Sequence, residues 1–305
     1  MAENTSAELT IREVAAPKAS GVRGILRTLG IFGRQNPLAA ISGLVLLAIV
    51  IVAIASPLVA PYHPIDDTDY SQIRKGPAAS HVLGTDDIGR DVLSRIIYGA
   101  RVSLFVAFVA VAIGDIFGAM WGVASGYLGG KFDIYSQRFL ELLLSFPTLI
   151  LAMVLLLGLG AGITTVIIAI AITRIPLTVR VIRSVVLGVK ENTYVEAARA
   201  VGCSNMRIMA VHIAPQCFAP WLILATAHLG SVIILEATLG FLGVGIPLPT
   251  ATWGNALGGS VAAVMIPKWW LVVFPGIAIT ITVLSFNLFG DGVRDALDPK
   301  LRGRV

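Results

Sequence analysis

Several side chains able to carry charge or move a proton fall inside or beside stretches that are otherwise apolar: Asp115, Glu141, Arg174, His228, Glu236 and Asp291. An ionisable group at the centre of a bilayer costs about 2.5–3.5 kcal/mol on insertion scales, so each must face protein or water. Asp115, Arg174 and Glu236 are candidates to line a solute path or to pair with a partner subunit. Glu141 and Asp291 lie near the ends of their apolar runs and can reach the interface. His228 suits a hydrogen bond inside a bundle. With Ser231, three residues on, it is the only hint of hydrolytic chemistry, and no H-E-x-x-H or G-x-S-G pattern supports it. The acids Asp66, Asp67, Asp69, Asp86, Asp87 and Asp91 share one segment but lack EF-hand spacing, since Gly89 comes too early and no Glu follows. Gly129-Gly130-Lys131-Phe132 has no hydroxyl after the Lys and no Gly at the required offset, so the chain has no phosphate loop of its own. No metal ligand set and no bound cofactor is expected.

A second constellation is a polar island, Thr193 to Pro215. Thr193 and Glu196 have the spacing of a capping box. Tyr194, Ala197, Ala198 and Val201 recur at helical spacing. Gly202 stands where a left-handed C-cap is expected. Ser204 can cap a second helix carrying Met206, Met209, Ala210 and Ile213, which Pro215 is expected to end. Helices this short are marginal alone, so their apolar faces need a partner.

The elements that position these groups are membrane spans. The chain has 305 residues, 56% hydrophobic and 13% charged, about half the charge density of a soluble domain. Residues 1–37 form a polar tail whose Val22–Asn36 part suits an amphipathic surface helix. Leu38 to Ala60 is a first span and 61–101 an external loop. Residues 102–290 form a core of five more spans: a second within Ile96–Val123, then Leu140–Leu159, Ile163–Leu187, Phe218–Leu239 and Leu271–Gly290. Pro147, Pro176 and Pro220 are expected to kink their helices. The polar island belongs to an inner loop, 190–215. A Gly- and Pro-rich outer loop, 240–270, holds Ala256–Ile266, too short to cross and expected to rest on protein as a half-helix or loop. Trp269 and Trp270 look like interfacial anchors. Residues 291–305 are a tail.

Orientation follows the basic residues. The outer segments hold only Arg74, Lys75, Arg90, Arg95, Arg101 and Lys268, Arg174 is intramembrane, and all other Lys and Arg lie on the side of the two termini. Both termini are therefore cytosolic. The formal net charge of +5 reflects this bias and not nucleic-acid binding, because no basic patch is interleaved with stacking aromatics. Cys203 and Cys217 lie in or beside the cytosolic island and imply neither a disulfide nor a metal.

Within the island, Glu196-Ala197-Ala198, then Gly202, then Ile213-x-Pro215 resembles the EAA loop of ABC-importer permeases, with Ala214 where Leu is usual and His212 before the Ile. Three other stretches are similar to the second permease subunit (DppC/OppC type) of the dipeptide, oligopeptide and nickel branch. They are Leu83–Arg101, Gly240–Pro249 with Trp253-Gly254-Asn255, and Asn287–Pro299. The resemblance runs from about Asn36 to Arg302. It implies an all-α, six-span type I importer permease (MetI-like) in a prokaryotic inner membrane. It also implies a homologous second permease (DppB/OppB type), two cytosolic ATPases that hold ATP and Mg, and an external solute-binding protein. The cargo would be peptides or, in sister groups, nickel, glutathione or other small solutes. ATPase contact would fall on Glu196, Ala197, Ala198, Gly202, Ser204, Met206, Ile213 and Pro215. A secondary transporter is the rival, with Asp115 and Glu236 as ion-coupling groups, but no inverted repeat is visible. A passive anchor would leave the paired short helices unexplained.

Overall fold

A computed structural model describes Gly33, residues 36–262 and residues 268–297. The amphipathic Val22–Asn36 segment lies almost wholly outside these residues, as do the end of Ala256–Ile266 and the tail beyond Leu297. The described chain is helical, with one isolated antiparallel bridge, Thr85 to Asp91. Five helices are long and apolar enough to cross a membrane, or six spans if one bent pair counts as one.

Helix α1 (Pro37–Ile54) opens on Pro37, whose missing N–H costs nothing in a first turn. It buries little beyond Ala39, Ser42, Leu46 and Ala53, while Leu38, Ile41, Leu44, Leu47 and Ile51 stay exposed. A helix apolar all round with one thin buried stripe is built to face lipid. One further turn, Ser56–Val59, follows.

The outer segment that follows is folded. Arg74 Nε lies 2.7 Å from Asp87, and Arg90 Nε donates to Asp86 at 2.7 Å. Arg95 Nε stands 3.5 Å from the same Asp86, and His81 pairs with Asp91. In a short turn at Tyr70–Gln72, the Ser71 hydroxyl, and then its backbone N–H, hold the Asp69 carboxyl below its usual range. Asp91 caps α2 (Val92–Leu128) by accepting from Ser94 N–H at 2.8 Å. Trp270 corrects the interfacial-anchor expectation. It is 8% exposed and packs with Val92 and Leu271 under this outer cover, whereas Trp269 is 57% exposed. The Trp270 ring fills the space beside Gly76 and Gly84, so packing wins over the interface.

At 37 residues α2 spans about 55 Å and is the axis of the bundle. Gly129 and Gly130, at φ +63° and +57°, turn the chain into α3 (Gly130–Leu144). Helix α4 (Thr148–Leu159) leaves it at 92°. The Leu140–Leu159 stretch is therefore broken sharply and not merely kinked. Pro147 breaks it, because it offers no N–H and disfavours helix in the residue before it. Ser145 Oγ closes the end of α3 on the Leu142 carbonyl at 2.6 Å. Helix α5 (Ile163–Val189) and α7 (Asn205–Phe241) run through Pro176 and Pro220 without a break.

Helix α6 (Thr193–Ala200) is the first half of the polar island. Helix α8 (Trp253–Ala262) is the half-helix, and it rests on protein: Gly254 meets the Ala237 backbone of α7, and Trp253 Nε1 donates to the Ile96 carbonyl of α2 at 3.0 Å. Asn255 Nδ2 donates to the Ile246 carbonyl at 2.8 Å and holds the preceding loop. Helix α9 (Trp269–Leu297) packs on α1 and α7. The core forms where α2, α5 and α7 meet, around Val106, Ala107, Ala110, Val166, Ile170, Val232 and Ile233, with Leu156 and Trp253 from α4 and α8.

Candidate functional site

The polar island folds into a knuckle at the inner end of the bundle. Two sequence expectations fail locally. Thr193 and Glu196 form no capping box: α6 starts one residue earlier than that pattern needs, with Asn192 at the N-cap and no side-chain cap bond. The Glu196 carboxylate has no hydrogen bond or ion pair among the described residues and is exposed. Pro215 does not stop the second helix either. The backbone widens into a π-helical segment, Ile208–Ile213, and runs on through Pro215 into α7. A π segment re-registers the carbonyls just before the proline, so no partner is needed for its missing N–H.

The turn between the two pieces fits its sequence. Gly202 sits at φ +86°. Its N–H reaches the Arg199 carbonyl at 3.0 Å and the Cys203 N–H reaches the Ala198 carbonyl at 3.1 Å, the paired bonds of a Schellman end. Ser204 then caps the next helix through the Arg207 N–H at 3.4 Å. Val195 is the only residue of α6 that is fully buried. It joins Ile182, Val186, Ile208, Ile213 and Cys217 in a small core of its own. Tyr127 at the end of α2 donates to Asn205 Oδ1 at 3.0 Å, and the Arg199 guanidinium lies 5.8 Å from the Tyr127 ring centre. What remains outside is the face with Tyr194, Ala197, Val201 and Met206, the last two 84% and 72% exposed. Ala198 is half-buried and Ile213 buried, so these two hold the knuckle together, while Glu196, Ala197 and Met206 present it.

Of the intramembrane polar groups, three come together. Asp115 of α2 is fully buried; it accepts from Thr178 Oγ1 at 2.7 Å, and His228 Nδ1 lies 2.9 and 3.0 Å from its two oxygens. Arg174 stands beside them and donates from Nη1 to Ser231 Oγ at 3.2 Å. Ser231 Oγ in turn donates to the His228 carbonyl at 2.9 Å. Glu236 is not part of this group. Eight residues further along α7, about 12 Å, it is buried near Ser103 and Thr252, next to the start of α8. Glu141 lies half-exposed on α3 beside Arg138, and Asp291 is exposed. Among the described residues no three His, Cys, Asp or Glu side chains are grouped as metal ligands.

Two features carried no weight in the sequence reading. Gly114, Gly118, Gly122 and Gly126 recur every fourth residue on α2, and each lies against α5, at Ala171 and Arg174, Thr178, Ile182 and Val186. The signal was legible: small residues at i, i+4 mark close helix contact in membranes. The other is an ion pair at the inner end. Arg183 of α5 grips Asp133 of α3 through Nε at 2.6 Å and Nη2 at 2.5 Å, and Ser125 Oγ of α2 donates to the same carboxylate at 2.5 Å. Fifty residues separate that pair, and no local pattern announces it.

The sequence matches a family model described as the binding-protein-dependent transport system inner membrane component over residues 116–303. Residues 34–77 match the N-terminal TM domain of oligopeptide transport permease C. The dipeptide transport system permease protein DppC of Alkalihalophilus pseudofirmus is 40% identical over 88% of both chains. The probable D,D-dipeptide transport system permease protein DdpC of Escherichia coli K12 is 38% identical over 89% of this chain and 90% of that one. The glutathione transport system permease protein GsiD of Escherichia coli O1:K1 / APEC is 40% identical over 88% of this chain and 89% of its own. Among solved structures, the inward-facing MetNI methionine ABC transporter covers 67% of this chain and 96% of its own at a TM-score of 0.56. At 19% identity that likeness speaks for the fold alone. With the helical bundle, its apolar spans and these relatives together, the chain belongs to the family of binding-protein-dependent transport system inner membrane components and is a multi-pass permease subunit of an ABC importer.

Proposed function

We propose that this permease forms half of the path for di- or oligopeptides and is driven through the α6 knuckle by a cytosolic ATPase. The observation that carries the drive is the exposed face of Ala197, Val201 and Met206 on a helix pair too short to stand alone. Its buried side is fixed to the inner ends of α2, α5 and α7 through Val195, Tyr127 and the π segment. Ala197 gives a flat contact, Gly202 holds the turn, and Val201 and Met206 offer apolar surface to a partner. Closure of the ATPase would push the knuckle and rock the attached spans as a rigid body. ATP and Mg belong to two partner chains, the second half of the path to a homologous permease, and solute capture to an external binding protein. The peptide cargo is supported by relatives named for dipeptide, D,D-dipeptide and glutathione, all short peptides.

The test is Ala197→Glu in the assembled transporter. A carboxylate forced unpaired into that contact costs several kcal/mol. Uptake falls more than tenfold while insertion and pairing with the second permease stay normal. Normal uptake together with normal ATPase association would refute the coupling role.

A further inference from the structure

Arg174 lies 11 residues after Ile163 and 15 before Val189 on α5. At 1.5 Å per residue that is about 17 Å and about 22 Å from the helix ends. No side chain snorkels that far, so the guanidinium stays near the midplane, where a cation needs water or an anion. Among the described residues Arg174 makes no ion pair, and its Nε is buried without an acceptor. Asp115 is close enough to act on it electrostatically, but its carboxylate hydrogen-bonds Thr178 and His228 and forms no ion pair with Arg174. Among the described residues the single hydrogen bond of the guanidinium is to the neutral hydroxyl of Ser231, a residue exposed on the face of α7. Thus, among the described residues, one neutral hydroxyl orients the charge, and Asp115 offsets it only from beyond ion-pair distance. Beside it the open side of α7 is lined by small groups, Ala227 and Ser231, which leave room for another molecule.

We propose that Arg174, oriented by Ser231, is a waypoint on the translocation path that binds the free carboxylate of a passing peptide. This rests on the peptide reading above. A permeating solute must be held well enough to enter and weakly enough to leave. A guanidinium with a resident carboxylate would be quenched, and one with no orienting contact would be undirected. A guanidinium against one hydroxyl lies between these, with donors free for a charge-assisted bond to a carboxylate. The competing occupant is a carboxylate of the second permease, which would be permanent.

The experiment uses the assembled transporter in proteoliposomes, with its binding protein loaded with a labelled dipeptide bearing a free carboxyl terminus. Arg174→Gln lowers the maximal rate of ATP-driven uptake about tenfold, equivalent to about 1.4 kcal/mol. The half-saturating concentration of loaded binding protein is unchanged, the complex stays intact in gel filtration, and Arg174→Lys recovers most of the rate. Uptake by Arg174→Gln within twofold of wild type overturns the site alone. Separation of the Arg174→Gln complex into single permeases overturns it in favour of pairing with the second permease. Failure of the wild-type complex to import any dipeptide overturns the peptide reading, and this site with it.

Discussion

Placing a methyl group on the α2–α5 seam separates two opposing effects. A Cβ built on Gly118 lies 2.8 Å from Thr178 Cβ and 3.1 Å from its Cγ2; one on Gly122 lies 2.9 Å from Ile182 Cβ. Carbon contacts settle at about 3.5–4.0 Å, so Gly118→Ala requires the helices to part by about 1 Å. Thr178 cannot turn aside, because its hydroxyl is held on Asp115 at 2.7 Å. Overpacking of this kind costs about 1–3 kcal/mol. Alanine returns up to about 1 kcal/mol as the better helix former. The clash wins, leaving a net loss of about 1–2 kcal/mol. Gly118→Ala with Gly122→Ala should cost less than the sum of the single changes, since the displacement made for one methyl accommodates the other. The same parting stretches the Thr178–Asp115 bond past hydrogen-bonding range, so the midplane cluster weakens with the seam. The assay is the thermal midpoint of the detergent-purified transporter, with Gly188→Ala as control, because a Cβ there meets nothing within 4 Å. A double variant melting at or above wild type would refute the packing argument, as would a control losing as much as Gly118→Ala.

Cys203 is half-buried at the knuckle and Cys217 is 3% exposed. A membrane-impermeant thiol reagent should therefore modify Cys203 from the cytosolic side and Cys217 far more slowly. Modification of Cys203 from outside would overturn the orientation. Arg183→Lys keeps the charge but loses the two-pronged grip on Asp133. With both side chains only partly exposed, a loss of about 1 kcal/mol in the same melting assay is expected, and an unchanged midpoint would show that the fork adds nothing.

What the sequence revealed follows the range of the forces involved. Spans are set by solvent, and a bilayer demands long apolar runs wherever they fold, so α1, α2, α5, α7 and α9 stand where hydropathy puts them. Gly202 was legible because a positive φ is a property of one residue. The errors share another cause. The capping box, the stop at Pro215 and the anchor role of Trp270 are local rules that a neighbour overrode: Asn192 at the cap, a π segment before the proline, the folded outer cover around the indole. The break at Pro147 was hidden because α3, with Lys131, Asp133, Arg138 and Glu141, is amphipathic, and its apolar end merges with α4 in any averaged profile. Asp115 and His228 were each legible as costly in a membrane. Their pairing was not, because 113 residues lie between them.

The same contacts bear on how a push at the knuckle would travel. From Asn205 to Phe241 α7 is a continuous rod of 37 residues, about 55 Å, because the π segment carries the helix past Pro215. The rod is tied to α2 and α5 by Tyr127–Asn205 at the inner end and by Asp115–His228 with Arg174–Ser231 at the midplane, and α8 bridges it to α2 near the outer end, with Gly254 against Ala237 and Trp253 donating to the Ile96 carbonyl. Helix α5 is tied to α2 along the glycine seam, and α3 to both through Asp133. A bundle fastened along its whole length has no weak plane at which to hinge. On the reading proposed above, the displacement therefore appears where these bonds end, against the second permease, and opening the path is the rocking of one whole subunit against another.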